Sequence, residues 1–257
     1  MISFWQAVFL GILQGLTEFL PVSSSGHLVV FQSFFGINEP VLLFDTCLHI
    51  GSLIAVFIFF WRDIWAILRR PICKEMGLLI VGTIPVVIAG FLFQDSLERL
   101  FSSVVTVCLA LVVTGVFLFI SDRLESSKQL KELSYPAALL VGCFQALALT
   151  PGLSRSGSTI FGSLLAGLDR QSAAKYSFLL SIPAILGATV LQFRDLLKEG
   201  QALILPFSYL VGTAAAAVVG FFAIKFLLKL LLKKNLRGFA YYCWTFAGIS
   251  LIWLIFN

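Results

Sequence analysis

The sequence predicts an all-α integral membrane protein with two inverted-topology repeats, each a re-entrant helix hairpin plus three transmembrane helices. The first observation is composition: 59% of the residues are hydrophobic, only 12% are charged, and the mean hydropathy is +1.00. A soluble domain carries roughly a quarter charged residues, so this chain could not solvate its own surface. The second observation is a Ser-x-Ser-Gly core that occurs twice, at 23–26 and 154–157.

Apolar segments give the helices in order. Half one has 3–20, a short 26–36, 42–61, 76–94 and 102–120, and half two has 135–150, a short 157–168, 172–192, 207–232 and 239–256. A membrane-spanning helix needs ~20 residues, so the two short segments cannot cross. Each follows a polar stretch, which favours a hairpin that enters and returns on one side. Each half then has three crossings, and because three is odd, the second half is inverted relative to the first. An alternative is that 3–20 or 135–150 spans completely.

Further matches at nearly the same offset support a duplicated unit. Val81-Gly82-Thr83 recurs as Val211-Gly212-Thr213, and Gln14 aligns with Gln145. Duplicated halves are common in transporter-like membrane folds. We therefore predict a single membrane domain over 1–257, with repeat one at about 1–125 and repeat two at about 130–257.

Loop charge orients this topology. In the predicted arrangement one side carries most of the 18 Lys and Arg residues, in the loops around 62–75, 121–134, 169–175 and 225–238. The opposite side carries Arg99, Arg194 and Lys198. By the positive-inside rule the basic side is cytoplasmic, both termini lie outside, and the first hairpin dips in from the outer face. The modest net charge of +5 gives no support to nucleic-acid binding.

The ends and the cysteines add little chemistry. The first segment lacks a basic region and a cleavage site, so we expect it to remain in the mature protein. The five cysteines are scattered without a zinc spacing, which is typical of small core residues.

The two polar turns suit an anion. A Ser/Gly-rich turn that opens a helix directs backbone N–H groups and the positive end of the helix dipole toward one point. Arg155 adds a planar, permanently charged fork suited to phosphate oxygens. Close packing by small residues is the alternative, but it does not explain an arginine at membrane depth. The candidate anion-binding residues beside Arg155 are Ser23, Ser24, Ser25, Gly26, Ser154, Ser156 and Gly157.

Half one supplies an acid and a histidine. Gln14 and Glu18 share a helix face, and Glu18 could hold a divalent cation such as Mg²⁺ or Ca²⁺, or pair with Arg155 or His27. His27 follows the first turn, where it could take a proton or attack phosphorus. His49 and Asp45, four residues apart, either support the site or form a local pair; we favour the local pair.

The segments Gln14–His27 and Pro151–Ser158 resemble the motifs of the bacterial undecaprenyl-pyrophosphate phosphatases, also known as bacitracin-resistance phosphatases. The resemblance covers the whole chain. It implies a bacterial inner-membrane enzyme that removes the terminal phosphate of a C55 isoprenyl pyrophosphate and regenerates the lipid carrier for cell-wall precursors. It also implies a divalent metal cofactor.

The family's glutamate motif maps onto Gln14 and Glu18, its Ser-Thr-Gly-His run onto residues 24–27, and its arginine onto Arg155. This chain departs from the pattern at Gln14, where many relatives have Glu, and at Ser25, where many have Thr. With one carboxylate fewer, the metal would be held mainly by Glu18 and the pyrophosphate.

These expectations combine into one reaction. Arg155 and the N–H groups hold the terminal phosphate, Glu18 and Gln14 hold the metal, His27 is the base or acid, and Ser24 is a candidate nucleophile. Attack by Ser24, by His27 or by activated water all remain open. The site would open to the outer face, with the lipid tail in the bilayer. A flippase of the polyprenyl phosphate carrier is the alternative function and an anion channel a weaker one; the oligomeric state is not predicted.

Overall fold

The computed structural model describes residues 2–37, 41–101, 103–124, 127–198, 205–232 and 236–256. Within these ranges the chain forms twelve α-helices and one 3₁₀ turn at Leu130–Glu132. The helices are α1 Phe4–Phe19, α2 Ser24–Phe34, α3 Leu42–Phe59, α4 Trp61–Leu68, α5 Lys74–Leu92, α6 Gln94–Phe101, α7 Val104–Ser121, α8 Tyr135–Leu147, α9 Arg155–Leu165, α10 Arg170–Lys198, α11 Phe207–Leu231 and α12 Arg237–Phe256.

Six of the described helices are long and apolar enough to cross a membrane, namely α3, α5, α7, the 170–192 part of α10, α11 and α12. Helices α1 and α8 cover the two segments whose crossing was left open. They have 16 and 13 residues, below the ~20 that a crossing needs. The predicted all-α membrane protein is confirmed.

Two short helices were not predicted. The segment 42–61 does not continue as one helix but breaks at Phe60, and α4 begins at Trp61. The exposed Trp61 and Trp65 lie under the guanidinium groups of Arg62 and Arg69, at 5.4 and 5.0 Å. Helix α4 has two tryptophans and two charged residues among its eight, a composition that suits a helix at a membrane interface. Because α4 and α6 are short and contain charged residues, a search for long apolar runs does not detect them.

Helices from the two halves pack on each other in matching pairs. Helix α1 packs on α11, and its counterpart α8 packs on α5. Both contacts are made through glycines. A Cβ on Gly11 would lie 2.3 Å from the carbonyl oxygen of Gly212, and one on Gly142 would lie 2.4 Å from that of Gly82. The glycines that align between the two halves therefore make equivalent close approaches of backbone to backbone.

The basic loops meet at one end of the helix bundle. Asp122, at the end of α7, accepts a hydrogen bond from the backbone N–H of Leu236 at 2.9 Å and forms an ion pair with Arg237 at 2.7 Å. Arg170, at the start of α10, donates to the carbonyl oxygen of Asp122. At the same end Lys175 pairs with Asp63 at 2.5 Å. These contacts connect four of the loops that charge counting assigns to one side.

Candidate functional site

The two Ser/Gly-rich turns lie against each other in the interior. Turn one, at 20–23, precedes α2 and turn two, at 148–154, precedes α9; together with the first residues of these helices we call them the paired turns. The Ser25 hydroxyl accepts from the N–H of Gly152 at 3.4 Å, and the Ser156 hydroxyl donates to the carbonyl of Leu20 at 3.3 Å. A Cβ on Gly26 would lie 3.2 Å from the Cα of Gly152. Small residues therefore allow two helix starts to share one site.

Equivalent serines cap the two helices. Ser23 accepts from the N–H of Gly26 at 3.2 Å, and Ser154 accepts from that of Gly157 at 3.1 Å. The first N–H groups of a helix have no partner within it. Among the described residues, the N–H groups of Ser24, Arg155 and their next neighbours have no acceptor. The paired turns thus present unpaired donors and two positive helix ends, as an anion site requires.

Backbone strain marks turn one. Ser23 has a φ of +70°, the only positive value for a non-glycine residue in the described chain. Such a conformation costs of the order of 1–3 kcal/mol and is found at functional sites when the surrounding structure holds it in place. Here the capping bond of the Ser23 side chain and the bonds to its carbonyl hold it.

Glu18 and Arg155 form an ion pair between the paired turns. Glu18 is 6% exposed, and one of its oxygens, Oε1, contacts Arg155 Nη2. The other, Oε2, accepts from the Ser24 hydroxyl at 2.5 Å and from Gln14 Nε2 at 3.0 Å. The predicted acid and arginine, 137 residues apart in the chain, are therefore in direct contact.

Two buried polar atoms of this cluster have no hydrogen-bond partner in the described chain. They are Nη1 of Arg155 and Oε1 of Gln14. An unpaired buried donor or acceptor costs ~1–3 kcal/mol, so native proteins rarely leave one without a water, an ion or a ligand. The cluster therefore retains one free cationic donor and one free oxygen acceptor.

His49 and Ser52 join the site from α3. His49 Nδ1 lies 3.1 Å from Gln14 Nε2 and 3.7 Å from Glu18 Oε2, and the Ser52 hydroxyl lies 3.2 Å from Gln14 Nε2. The favoured local pair of His49 with Asp45 is wrong, because Asp45 accepts instead from Gln32 at 2.7 Å. The four-residue spacing of Asp45 and His49 is compatible with a local pair or with separate partners. The packing of α1 beside α3 places His49 next to Glu18.

His27 lies at the first turn of α2, but its ring contacts α12. Its Nδ1 is 2.7 Å from the Ser23 carbonyl oxygen and its Nε2 is 2.8 Å from the Tyr242 hydroxyl. The ring stacks on Phe246 at 4.1 Å between centroids. The sequence does not identify Tyr242 and Phe246, since α12 contains several aromatic residues and nothing distinguishes these two from the others.

Thr114 of α7 was also missed. Its hydroxyl donates to the carbonyl of Gly152 at 3.1 Å and accepts from the N–H of Ser154 at 2.9 Å. It thereby holds both ends of the tight part of turn two, where Gly152 has a φ of +90°. The sequence gives no signal that identifies Thr114, because α7 contains two further hydroxyl side chains, Thr106 and Ser121.

The fold and the site together define a multi-pass helical membrane protein with a buried acid–arginine pair set between two serine-capped helix starts. The family described as "Bacitracin resistance protein BacA" matches residues 7–249, and the chain belongs to that family. The paired turns and the Glu18–Arg155 contact lie within the matched residues.

Curated relatives match over nearly the whole chain. An "Undecaprenyl-diphosphatase" of Halothermothrix orenii is 50% identical over 251 residues, covering 96% of each chain. A protein of the same name from Carboxydothermus hydrogenoformans is 45% identical over 253 residues, again covering 96% of each. "Undecaprenyl-diphosphatase 4" of Bacillus thuringiensis subsp. konkukian is 44% identical, covering 98% of this chain and 97% of the relative.

Proposed function

We propose that this protein hydrolyses undecaprenyl pyrophosphate to undecaprenyl phosphate and inorganic phosphate, which recycles the lipid carrier of bacterial cell-wall synthesis. The observation that carries the proposal is the contact of Arg155 with Glu18 between two helix starts that have unpaired N–H groups. The family and the names of its members at 41–50% identity support the substrate.

The terminal phosphate binds at the paired turns. The unpaired Nη1 of Arg155 and the N–H groups at the starts of α2 and α9 donate to its oxygens. The hydroxyls of Ser25, Ser154 and Ser156 border the same space. Donors that are fixed in place before the substrate arrives stabilise the charge that spreads over the phosphoryl oxygens during transfer.

Gln14 and Glu18 fit a divalent cation. The free Oε1 of Gln14 and the carboxylate of Glu18 are hard oxygen ligands, the type that Mg²⁺ and Ca²⁺ prefer. The described residues hold no cluster of three or more His, Cys, Asp and Glu side chains, so the substrate phosphates would complete the ligand set. Such an ion, when bound, would neutralise pyrophosphate charge.

Ser24 is the nucleophile that the geometry favours. Its hydroxyl donates to Glu18 Oε2 at 2.5 Å, which is the relation of a nucleophile to the base that accepts its proton. Attack forms the Ser24 O–P bond and breaks the bond from phosphorus to the bridging oxygen, which leaves with undecaprenyl phosphate. Water then cleaves the phosphoserine, and His27 is the candidate base for that step.

A release assay with purified protein in detergent tests the proposal. We expect phosphate release from C55 and C15 pyrophosphates, and its loss in Ser24→Ala, Arg155→Ala and His27→Ala variants that remain folded. Ser33→Ala, on the same helix as Ser24 but outside the site, is the matched control and should keep full activity. Mass spectrometry after an acid quench should find phosphate on residue 24. Release by Ser24→Ala at the wild-type rate would leave His27 or activated water as the attacking group.

The proposal includes the topology. Each half is a re-entrant hairpin, α1–α2 or α8–α9, followed by three crossings, and the second half is inverted. The matched glycine contacts of α1 with α11 and of α8 with α5 support the duplication. The basic loops that meet at one end support a cytoplasmic face there, with both termini and the site opening on the outer side.

The same duplicated scaffold supports a second candidate, a flippase for the undecaprenyl phosphate carrier. Paired hairpins that meet between two inverted halves also suit alternating access. Phosphate release in detergent distinguishes hydrolysis from transport, because solubilised protein does not separate two compartments. A chain that binds polyprenyl phosphate but releases no phosphate would favour the flippase.

A further inference from the structure

The hydrogen bonds of His27 determine which ring nitrogen carries the proton. Nδ1 lies 2.7 Å from the carbonyl oxygen of Ser23, and a carbonyl only accepts. Nδ1 therefore holds a proton in every state that keeps this bond. In the neutral ring Nε2 has the lone pair, and it lies 2.8 Å from the Tyr242 hydroxyl, which must then donate.

The surroundings of the buried ring leave Nε2 with a single partner in the described chain. His27 is 0% exposed, and among the described residues Tyr242 is the only hydrogen-bond partner of Nε2. Phe246, one helical turn from Tyr242, stacks on the imidazole with an interplanar angle of 6°. Two side chains of α12 thus hold the plane of a histidine on α2 and supply the hydrogen-bond partner of its Nε2.

We propose that Tyr242 is a positioning residue that acts through His27. Its hydroxyl donates to Nε2 of the neutral ring, and it can accept from the same nitrogen once the ring is protonated, because a phenol both donates and accepts; the Ser23 carbonyl keeps the other proton on Nδ1. The inference rests on the proposed function, in which His27 is the base that serves the second step. It also assigns to α12, the last helix of half two, a role in the chemistry of a residue in half one.

Tyr242→Phe in the full-length protein is the test. This change removes one oxygen and keeps the ring that stacks near His27. Loss of the hydroxyl leaves the buried Nε2 without its hydrogen-bond partner, so we expect kcat to fall about tenfold, about the effect of losing one hydrogen bond, with KM within about twofold. The acidic limb of the pH profile of kcat should move. Tyr241→Phe, its exposed neighbour whose ring contacts Phe119 and Trp244, is the matched control and should match the wild type.

Nitrogen-15 NMR of labelled histidine supplies a readout independent of activity. The chain has two histidines, so His27→Gln assigns the spectrum. We expect one tautomer of His27 in the wild type and in Tyr241→Phe, and a displaced Nε2 signal in Tyr242→Phe. An unchanged Nε2 signal, or wild-type kcat and pH profile despite a changed signal, would overturn the proposal. If the wild type releases no phosphate although Tyr242→Phe displaces the Nε2 signal, the proposed function is refuted, and the role of Tyr242 in it is refuted as well.

Discussion

Replacing Arg155 with glutamine tests the ion pair between the paired turns. The Arg155 side chain is 19% exposed and that of Glu18 is 5% exposed, so removing the guanidinium leaves a buried carboxylate without its cation. Breaking such a pair costs ~3–5 kcal/mol. Ser24 and Gln14 still donate to Glu18, so we expect the lower end of this range, about 3 kcal/mol. For a chain of this size that is a fall of roughly 6–12 °C in melting temperature.

The loss of activity should exceed the loss of stability. Arginines that stabilise a transferred phosphoryl group contribute about 10³–10⁵-fold in rate, so Arg155→Gln should release phosphate at least about 1000-fold more slowly. Arg123→Gln is the control, since that guanidinium lies at 4.7 Å over the Phe119 ring, outside the site. Thermal unfolding and phosphate release are measured on the same preparations.

The double variant Glu18→Gln/Arg155→Gln separates the two roles. It removes both charges, so stability should return to within about 1 kcal/mol of the wild type, because no unpaired charge stays buried. Activity should not return, because the phosphate has lost its cationic donor. Activity that recovers along with stability would refute the reasoning, since the pair would then be structural alone. Wild-type stability in Arg155→Gln would show that the contact itself is absent.

Three further predictions follow from particular contacts. Gly11→Ala should lower the melting temperature, because its Cβ would lie 2.3 Å from a carbonyl oxygen of α11, whereas Gly187→Ala, with nothing within 4 Å, should not. Gln14→Glu supplies a second carboxylate and should lower the metal concentration for half-maximal phosphate release about tenfold; an unchanged requirement would remove Gln14 from the metal site. A membrane-impermeant maleimide should label Cys73, at the basic start of α5, in inside-out vesicles but not in intact spheroplasts; the reverse pattern would invert the topology.

Much of the site could be predicted because polar residues are rare in this chain. Glu18, Arg155 and the serine caps stand out against apolar neighbours, and a charge at membrane depth needs a partner. Their contact is found in the structure. Tyr242, Thr114 and Ser52 could not be predicted, because a hydroxyl or an aromatic ring on a membrane helix costs little and is common. Which of them faces the site depends on how the helices are rotated about their axes.

The sequence by itself determined the helical membrane class and the residues of the two turns, since hydropathy and polar motifs are properties of the chain alone. Only the tertiary structure decided that His49 lies beside Glu18 rather than beside Asp45, and that His27 pairs with Tyr242 of α12. Those outcomes depend on which helix faces which. Close glycine contacts set that packing between segments some 60 to 200 residues apart, a distance over which local patterns carry no information.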